Sequence, residues 1–117
     1  MTSLYLGKAY APARAMIHGG VPVAIASDFN PGSCPCLNLQ LAMNLAYLGC
    51  RMTPQEILTA VTLNAACAVG RGERVGSLEP GKQADIVLWN AADLEMLAYR
   101  MGSNQVSRVI KKGRMVI

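Results

Sequence analysis

The fold class follows from one passage of the chain, Val21-Pro22-Val23-Ala24-Ile25-Ala26-Ser27-Asp28-Phe29-Asn30-Pro31-Gly32-Ser33. Its first six residues are apolar and do not alternate with polar ones, which predicts a strand covered on both faces, as in a parallel sheet. A loop of small polar residues, glycine and proline then follows abruptly. In α/β folds the chemistry sits in loops at the C-terminal ends of strands. The passage therefore predicts an α/β fold with a candidate site beginning at Asp28.

Helices are predicted on both sides of this passage. Tyr10–His18 reads as a helix that Gly19-Gly20 ends. Leu37–Leu48 reads as the next helix, with four leucines at helical spacing as its buried stripe: Leu37, Leu41, Leu45 and Leu48. Thr53-Pro54-Gln55-Glu56 predicts a helix start, because it combines a capping box with proline at the first helical position. A further helix is expected over Leu63–Val69, before Gly70.

The composition changes after Gly70. Residues 71–83 are rich in glycine and charge, and Glu79-Pro80-Gly81-Lys82 predicts a turn. Three strands are predicted beyond it: Ala84–Trp89, Val106–Ile110 and Arg114–Ile117. Lys112-Gly113 predicts a tight turn that pairs the last two. The chain is therefore expected to divide into an α/β segment, 1–70, and a β-rich segment, 71–117, while 91–105 carries no clear pattern.

Composition favours a segment that is buried on several sides. Hydrophobic residues make up 52% of the chain and charged residues 15%, whereas charged residues normally make up about a quarter of a chain. An isolated monomer is expected to expose apolar patches, and we therefore expect a homo-oligomer.

The sequence also bears on membrane partners, on the cellular location and on nucleic-acid partners. No apolar stretch approaches the roughly 20 residues of a membrane span, so no membrane partner is expected. Met1-Thr2-Ser3-Leu4 has no basic region before an apolar core, which predicts a cytoplasmic protein. A basic cluster near the end contributes to the net charge of +4: Arg108, Lys111, Lys112 and Arg114. With one Trp, one Phe and no recognisable nucleic-acid module, we interpret this cluster as the exposed face of a hairpin and expect no nucleic-acid partner.

The potential metal ligands of the chain are few. Cys34-Pro35-Cys36 does not have the spacing of a zinc knuckle, and Cys50 and Cys67 lie on predicted helices. We interpret all four cysteines as reduced thiols that pack as small hydrophobes. His18 is the single histidine, and its place at a helix end favours a surface residue over a ligand.

Three passages resemble a known enzyme family. Ser27–Ser33 resembles the segment after the last barrel strand of imidazolonepropionases, which are metal-dependent amidohydrolases. Met52–Glu56 and Val61–Ala66 resemble helices shared more widely among amidohydrolases. Val75–Val87 resembles that superfamily's return into its small β-sandwich domain. The resemblance implies the C-terminal part of a (β/α)8 barrel, namely its last strand and following helices, joined to a small β-sheet element of the sandwich. It corresponds to the last quarter to third of a family member.

The resemblance also implies an activity and a site. The family opens 4-imidazolone-5-propanoate to N-formimidoyl-L-glutamate in histidine degradation, with one zinc or iron ion assisting the attack of water. Asp28 matches an aspartate that ligates the metal and accepts the proton of the attacking water. Asn30, Gly32 and Ser33 match positions that contact substrate or product. Without the resemblance, the residue itself favours interpreting Asp28 as a turn or capping residue. Asn-Pro-Gly-Ser is interpreted equally well as plain turn chemistry.

The chain also departs from the family pattern. The family's His-x-His pair and further histidines are absent, as are the arginine and tyrosine residues that recognise the propionate. One carboxylate cannot hold a catalytic zinc, which takes three protein ligands. We therefore expect the isolated chain to bind no metal and to be inactive. Two alternatives stay open: a self-associating protein without enzymatic activity, and a small-molecule binding module that uses the loop Asp28–Ser33.

Overall fold

The structure is a computed structural model that describes residues 1–117. It contains six helices and three strands: α1 Thr2–Tyr5, α2 Ala13–His18, α3 Leu39–Cys50, α4 Pro54–Val61, α5 Leu63–Ala68, β1 Ile86–Trp89, α6 Leu94–Tyr99, β2 Val106–Lys111 and β3 Arg114–Met115. The strands form one antiparallel sheet in the order β1-β2-β3. The chain is therefore a small α/β structure, in which the helices come mostly from its first half and the sheet from its second.

The C-terminal hairpin has the predicted form. β2 pairs antiparallel with β3, with Lys111 opposite Arg114. The turn between them places Lys112 at φ 52° and Gly113 at φ 74°. Two successive left-handed residues match the twist of a hairpin, and glycine reaches this conformation without steric cost. The local sequence was therefore sufficient to predict this element.

The strand predicted over Val21–Ala26 does not form within this chain. Within this passage one backbone N–H, that of Ile25, reaches another segment of the chain, donating to the carbonyl of Ala60 at 3.0 Å. Val23 and Ile25 pack against the core, whereas the residues between and beside them are exposed. A parallel strand needs neighbouring strands, and the sheet of this chain forms elsewhere and is antiparallel. The passage is therefore extended chain covered on one side.

A small core lies where α2, α3 and α4 meet. Its buried members are Ala13, Met43, Ala46, Met52, Ile57 and Ala60. The predicted leucine stripe of α3 was wrong in part, because Leu45 is buried while Leu37 and Leu48 are exposed. The side chain of Asn38 caps the helix by accepting from the Leu41 N–H, so α3 begins after Leu37. The face that packs carries alanine and methionine instead of leucine.

The N-terminus of α4 carries the predicted capping box. The Glu56 N–H donates to the Thr53 hydroxyl at 3.3 Å, and the Thr53 N–H donates to the Glu56 carboxylate at 2.8 Å. The Glu56 carboxylate also pairs with Arg14 of α2. The Thr53 N–H, together with Arg14, holds the pKa of Glu56 below its usual value against the opposing effect of burial. One carboxylate thus stabilises the helix start and joins α4 to α2.

Helix α6 occupies the region that carried no clear sequence pattern. Asp93 caps it by accepting from the Met96 N–H at 2.8 Å. The helix packs on α3 and α4. The buried amide of Asn44 donates to the carbonyls of Leu97 and Ala98 at 3.0 and 2.7 Å. Residues from both predicted segments therefore share this packing.

Asp85 anchors the hairpin to the start of β1. Its carboxylate accepts from the Lys112 N–H at 2.8 Å, from the Lys111 ammonium at 3.1 Å and from the Gln83 amide at 2.7 Å. The Lys112 N–H, with help from Gln83 and Lys111, lowers the pKa of Asp85. Within the basic cluster, the carboxylate thus engages the ammonium of Lys111 and the backbone N–H of Lys112. No helix of the structure has the length and apolar character needed to cross a membrane.

Candidate functional site

The candidate site is the loop that joins the extended passage to α3. Asn30 and Cys34 close this loop through two backbone hydrogen bonds, of 3.0 Å from the Asn30 N–H and 3.3 Å from the Cys34 N–H. The loop therefore has a defined geometry of its own, although it contains no regular secondary structure.

Asn30 organises the inside of the loop. Its side-chain oxygen accepts from the backbone N–H of Gly32 at 3.1 Å, from the N–H of Ser33 at 2.8 Å and from the Ser33 hydroxyl at 3.2 Å. Its side-chain nitrogen donates to the carbonyl of Asp28 at 2.9 Å. These bonds are the turn chemistry that an asparagine side chain supplies. They leave the second amide hydrogen of Asn30 as its remaining donor.

Cys34 is buried beneath the loop surface and contacts the residue that precedes Asp28. Its side chain is 1% exposed, and its thiol lies 3.1 Å from the carbonyl of Ser27, which it contacts as a weak donor. This contact ties the residue before Asp28 to the far end of the loop. The sequence predicted that Cys34 packs as a small hydrophobe, but not that its thiol contacts the Ser27 carbonyl. The position of Cys34 at the end of a polar loop was the one feature of the sequence that could have indicated this contact. All four cysteines are free thiols.

Asp28 stands at the exposed start of the loop in a left-handed backbone conformation, with φ 55°. Aspartate tolerates this region better than most residues, but it remains uncommon outside glycine. One carboxylate oxygen accepts a hydrogen bond from the Thr2 hydroxyl of α1, a contact that sequence reasoning did not foresee. The other oxygen has no protein donor. The carboxylate is thus oriented on one side and open on the other.

Gly32 is not required by the fold. Its φ lies outside the left-handed region, and an added Cβ would meet only the side-chain oxygen of Asn30, at an ordinary 3.5 Å. By contrast, an added Cβ at Gly76 would come within 2.7 Å of Ala66. The backbone of Gly32 is therefore exposed to solvent next to Ser33. Nothing within the chain would exclude a larger residue at this position on steric grounds.

The side chains of this chain do not make up a metal site. No three His, Cys, Asp or Glu residues converge anywhere in the structure. Asp28 is accompanied by a threonine hydroxyl, not by further ligands, and His18 is exposed at the end of α2. A catalytic zinc takes three protein ligands, so the donors present here do not fit one. The residues do fit a carboxylate that accepts protons, near the Ser33 hydroxyl and the exposed backbone of Gly32.

Comparison with known proteins identifies the family. The profile of the Amidohydrolase family matches residues 1–116.

The chain belongs to the amidohydrolase family.

Among curated relatives it is similar to the imidazolonepropionase of Caldanaerobacter subterraneus subsp. tengcongensis, with 52% identity over 116 residues. That match covers 98% of this chain and 28% of the relative. The imidazolonepropionase of Bacillus velezensis is also 52% identical, over 117 residues, with 99% and 28% covered. The chain thus spans about 28% of the length of these relatives.

Solved structures of amidohydrolases have the same arrangement of elements. An adenosine deaminase of Xanthomonas campestris with bound zinc superposes with a TM-score of 0.86 at 29% identity, over 97% of this chain and 30% of that one. The atrazine chlorohydrolase of Arthrobacter aurescens TC1 complexed with zinc gives 0.83 at 25% identity, over 99% and 29%. A metal cofactor is therefore found in relatives of this fold. The local geometry of the chain is that of a part of an amidohydrolase.

Proposed function

We propose that this chain is the C-terminal portion of an imidazolonepropionase-like hydrolase that opens 4-imidazolone-5-propanoate to N-formimidoyl-L-glutamate in histidine degradation. The observation that carries the proposal is the identity of about half of all residues to imidazolonepropionases over nearly the whole chain. The loop Asp28–Ser33 supports the proposal, because the carboxylate of Asp28 is exposed and its backbone has the uncommon left-handed conformation.

Asp28 is the proposed catalytic residue and the proposed metal ligand. Its open carboxylate oxygen accepts the proton of the attacking water, while the Thr2 hydroxyl orients the other oxygen. In the parent family a zinc or iron ion polarises the carbonyl that is attacked. The other ligands of such an ion would have to come from outside these 117 residues. We therefore expect the isolated chain to bind no metal and to show no turnover.

Asn30, Gly32 and Ser33 are the proposed substrate contacts. Asn30 keeps one amide hydrogen for a ligand after its bonds within the loop. The bare backbone at Gly32 allows a small polar molecule to approach closely, which explains a glycine that the fold itself does not need. The Ser33 hydroxyl, which donates to Asn30, still accepts.

The finer architecture is part of the same proposal. We assign Val21–Ala26 to the last strand of a (β/α)8 barrel, with α3, α4 and α5 as the helices that follow, and β1, β2 and β3 to the small β-sandwich element. The boundary is placed near residue 70. The passage 21–26 leaves most of its backbone groups without protein partners, and such groups are satisfied when strands add on both sides. A cytoplasmic location and a small-molecule substrate belong to this proposal.

A chimera tests the proposed function. The matching segment of the Caldanaerobacter imidazolonepropionase is replaced by residues 1–117, and turnover of 4-imidazolone-5-propanoate is measured. We expect the chimera to be active and its Asp28→Asn variant to lose about 100-fold or more in rate, the scale of a lost proton acceptor. Asp93→Asn is the matched control, because asparagine also caps α6. A folded chimera with no activity, or an Asp28→Asn chimera with unchanged rate, contradicts the proposal.

A second candidate function is self-association without catalysis, and the exposed apolar surface favours it. Large hydrophobic side chains are exposed in every part of the chain, from Leu4 to Ile117. We therefore expect the isolated chain to form a homo-oligomer whether or not it contributes to a hydrolase.

A further inference from the structure

Helix α1 presents a hydroxyl to the candidate loop. The Oγ1 of Thr2 donates to Oδ2 of Asp28, since an ionised carboxylate can only accept. Thr59 of α4 uses its hydroxyl within its own helix instead, donating to the carbonyl of Gln55 one turn earlier at 3.0 Å. Thr2 is half-buried. Its hydroxyl therefore joins two segments that are distant in sequence, whereas the bond of Thr59 is local.

The backbone of Asp28 is held separately from its carboxylate. The Cys34 thiol contacts the carbonyl of Ser27 at 3.1 Å, and the Asn30 amide donates to the carbonyl of Asp28 at 2.9 Å. Both contacts come from within the loop, and neither reaches the carboxylate. An aspartate side chain rotates about two bonds. Within this chain, the Thr2 hydroxyl is therefore the group that directs the open oxygen, Oδ1.

The chain turns in a defined way after α1. The Lys8 N–H donates to the Ser3 carbonyl at 2.8 Å. The Gly7 N–H donates to the Leu4 carbonyl at 3.2 Å, and Gly7 has a φ of 61°. These two bonds around a left-handed glycine are the Schellman ending of a helix. The helix end thus fixes the direction in which the chain leaves α1 towards Tyr10.

The ring of Tyr10 packs against Gly49 of α3. An added Cβ at Gly49 would come within 2.7 Å of two ring carbons of Tyr10 and within 2.8 Å of a third. The φ of Gly49 lies outside the left-handed region, so its backbone conformation does not require glycine. Glycine is also less favourable than alanine inside a helix. Gly49 therefore leaves space for the ring, and we name this contact the Tyr10 seat.

We propose that residues 2–10 form an arm whose seating on α3 positions the carboxylate of Asp28 through Thr2. The Tyr10 seat sets the place of α1, and α1 sets the direction of the Thr2 hydroxyl. Thr2, Tyr10 and Gly49 are thus positioning residues, which act on the reaction through Asp28. The arm rests on the proposed function, in which the open oxygen of Asp28 accepts the proton of the attacking water.

Substitutions of Thr2 test the near end of the arm in the chimera described above. Thr2→Val removes the hydroxyl at nearly constant volume, and we expect kcat to fall about tenfold or more with KM unchanged. Thr2→Ser retains the hydroxyl and should keep kcat within about twofold of the unmutated chimera. Thr59→Val is the matched control, because it removes a hydroxyl that bonds only within α4. Its kcat should not change.

Substitutions at the Tyr10 seat test the far end. Gly49→Ala and Tyr10→Ala disturb the same contact from its two sides, and each should lower kcat about threefold or more. In a Thr2→Val chimera, Gly49→Ala should change kcat by less than about 1.5-fold, because the hydroxyl through which the seat acts is gone. A merely structural role of the seat would lower kcat by the same factor in both backgrounds.

The outcomes separate the arm from the proposed function. Full kcat in Thr2→Val, a loss that Thr2→Ser does not restore, or effects of Gly49→Ala and Thr2→Val that multiply overturns the arm. Each of these leaves the role of Asp28 intact, since Asp28→Asn tests that role in the same chimera. A folded but inactive unmutated chimera contradicts the proposed function and the arm with it. If Tyr10→Ala does not fold, Gly49→Ala decides, because alanine favours the helix.

Discussion

At the scale of single residues, Asn30 and Asp28 have different roles in the candidate loop. Asn30 uses its side chain to hold the backbone of Gly32, Ser33 and Asp28 in place. Asp28 makes no such bond to the loop with its carboxylate, which faces Thr2 and solvent. The two interpretations of this loop, as turn chemistry and as a reactive site, therefore apply to different side chains. The turn is what allows the carboxylate to be presented.

Replacing Asn30 should loosen the loop. In Asn30→Ala the N–H groups of Gly32 and Ser33 lose their acceptor, at a cost of about 1 kcal/mol per bond. We expect these two amides to exchange with solvent about fivefold faster or more, as measured by hydrogen exchange with NMR detection. Asn30→Asp retains an acceptor oxygen and should preserve their protection. Equal exchange in Asn30→Ala and the unmutated chain would show that the loop is held by other contacts.

At the scale of elements, the helix starts carry the clearest local determinants. The capping box of α4 satisfies two backbone donors through adjacent residues of the chain. Its carboxylate also reaches Arg14, so the same residue contributes to the packing of α2 on α4. Both contacts lower the pKa of Glu56, and the hydrogen bond from the Thr53 N–H is the larger cause.

The stabilisation from the Glu56 charge should depend on pH. Because the folded-state pKa lies below the ordinary value of 4.5, this stabilisation is present above about pH 4.5 and is lost as pH falls through the lowered pKa. We expect Glu56→Gln to lower the free energy of unfolding by about 0.5–1 kcal/mol at pH 7, measured by urea denaturation. The deficit should shrink as the pH falls below 4.5.

Glu73 provides the control for this measurement. It is exposed and makes no hydrogen bond or ion pair, so Glu73→Gln should change the unfolding free energy little at any pH. A Glu56→Gln deficit that stays constant between pH 7 and pH 3 would contradict the assignment of the stabilisation to the charged carboxylate.

At the scale of the whole molecule, the packing of α6 on α3 holds the two halves of the chain together. Asn44 is 1% exposed, and its amide reaches two carbonyls near the end of α6. Gln40 adds a contact from the same helix, accepting from the Gln105 N–H at 2.9 Å. Buried polar groups of this kind are costly to leave without a partner. The junction therefore depends on a few specific side chains as well as on apolar packing.

Asn44→Ala should destabilise the chain strongly. It leaves two buried carbonyls without their donor and opens a small cavity, for an expected loss of about 2–3 kcal/mol in the free energy of unfolding. Asn64→Ala is the matched control, since Asn64 is half-buried and donates to one carbonyl, that of Val23, at 2.9 Å. There we expect a loss of about 1 kcal/mol. Equal losses in the two variants, measured by urea denaturation, would argue against a special role for the junction.

The candidate site could be located from the sequence, but its internal organisation could not. Asp28, Asn30, Gly32 and Ser33 were found because they follow an apolar run and resemble a family segment. The contact of Asp28 with Thr2 joins residues 26 positions apart and has no local signature.

The sequence by itself determined the elements whose causes are local. The capping box at Thr53–Glu56 and the hairpin turn at Lys112-Gly113 formed as predicted, because each depends on residues within one or two turns of chain. Only the tertiary structure decided whether Val21–Ala26 became a strand and which face of α3 was buried. Strand pairing and burial depend on partners distant in sequence, and this chain supplies no parallel strand beside Val21–Ala26.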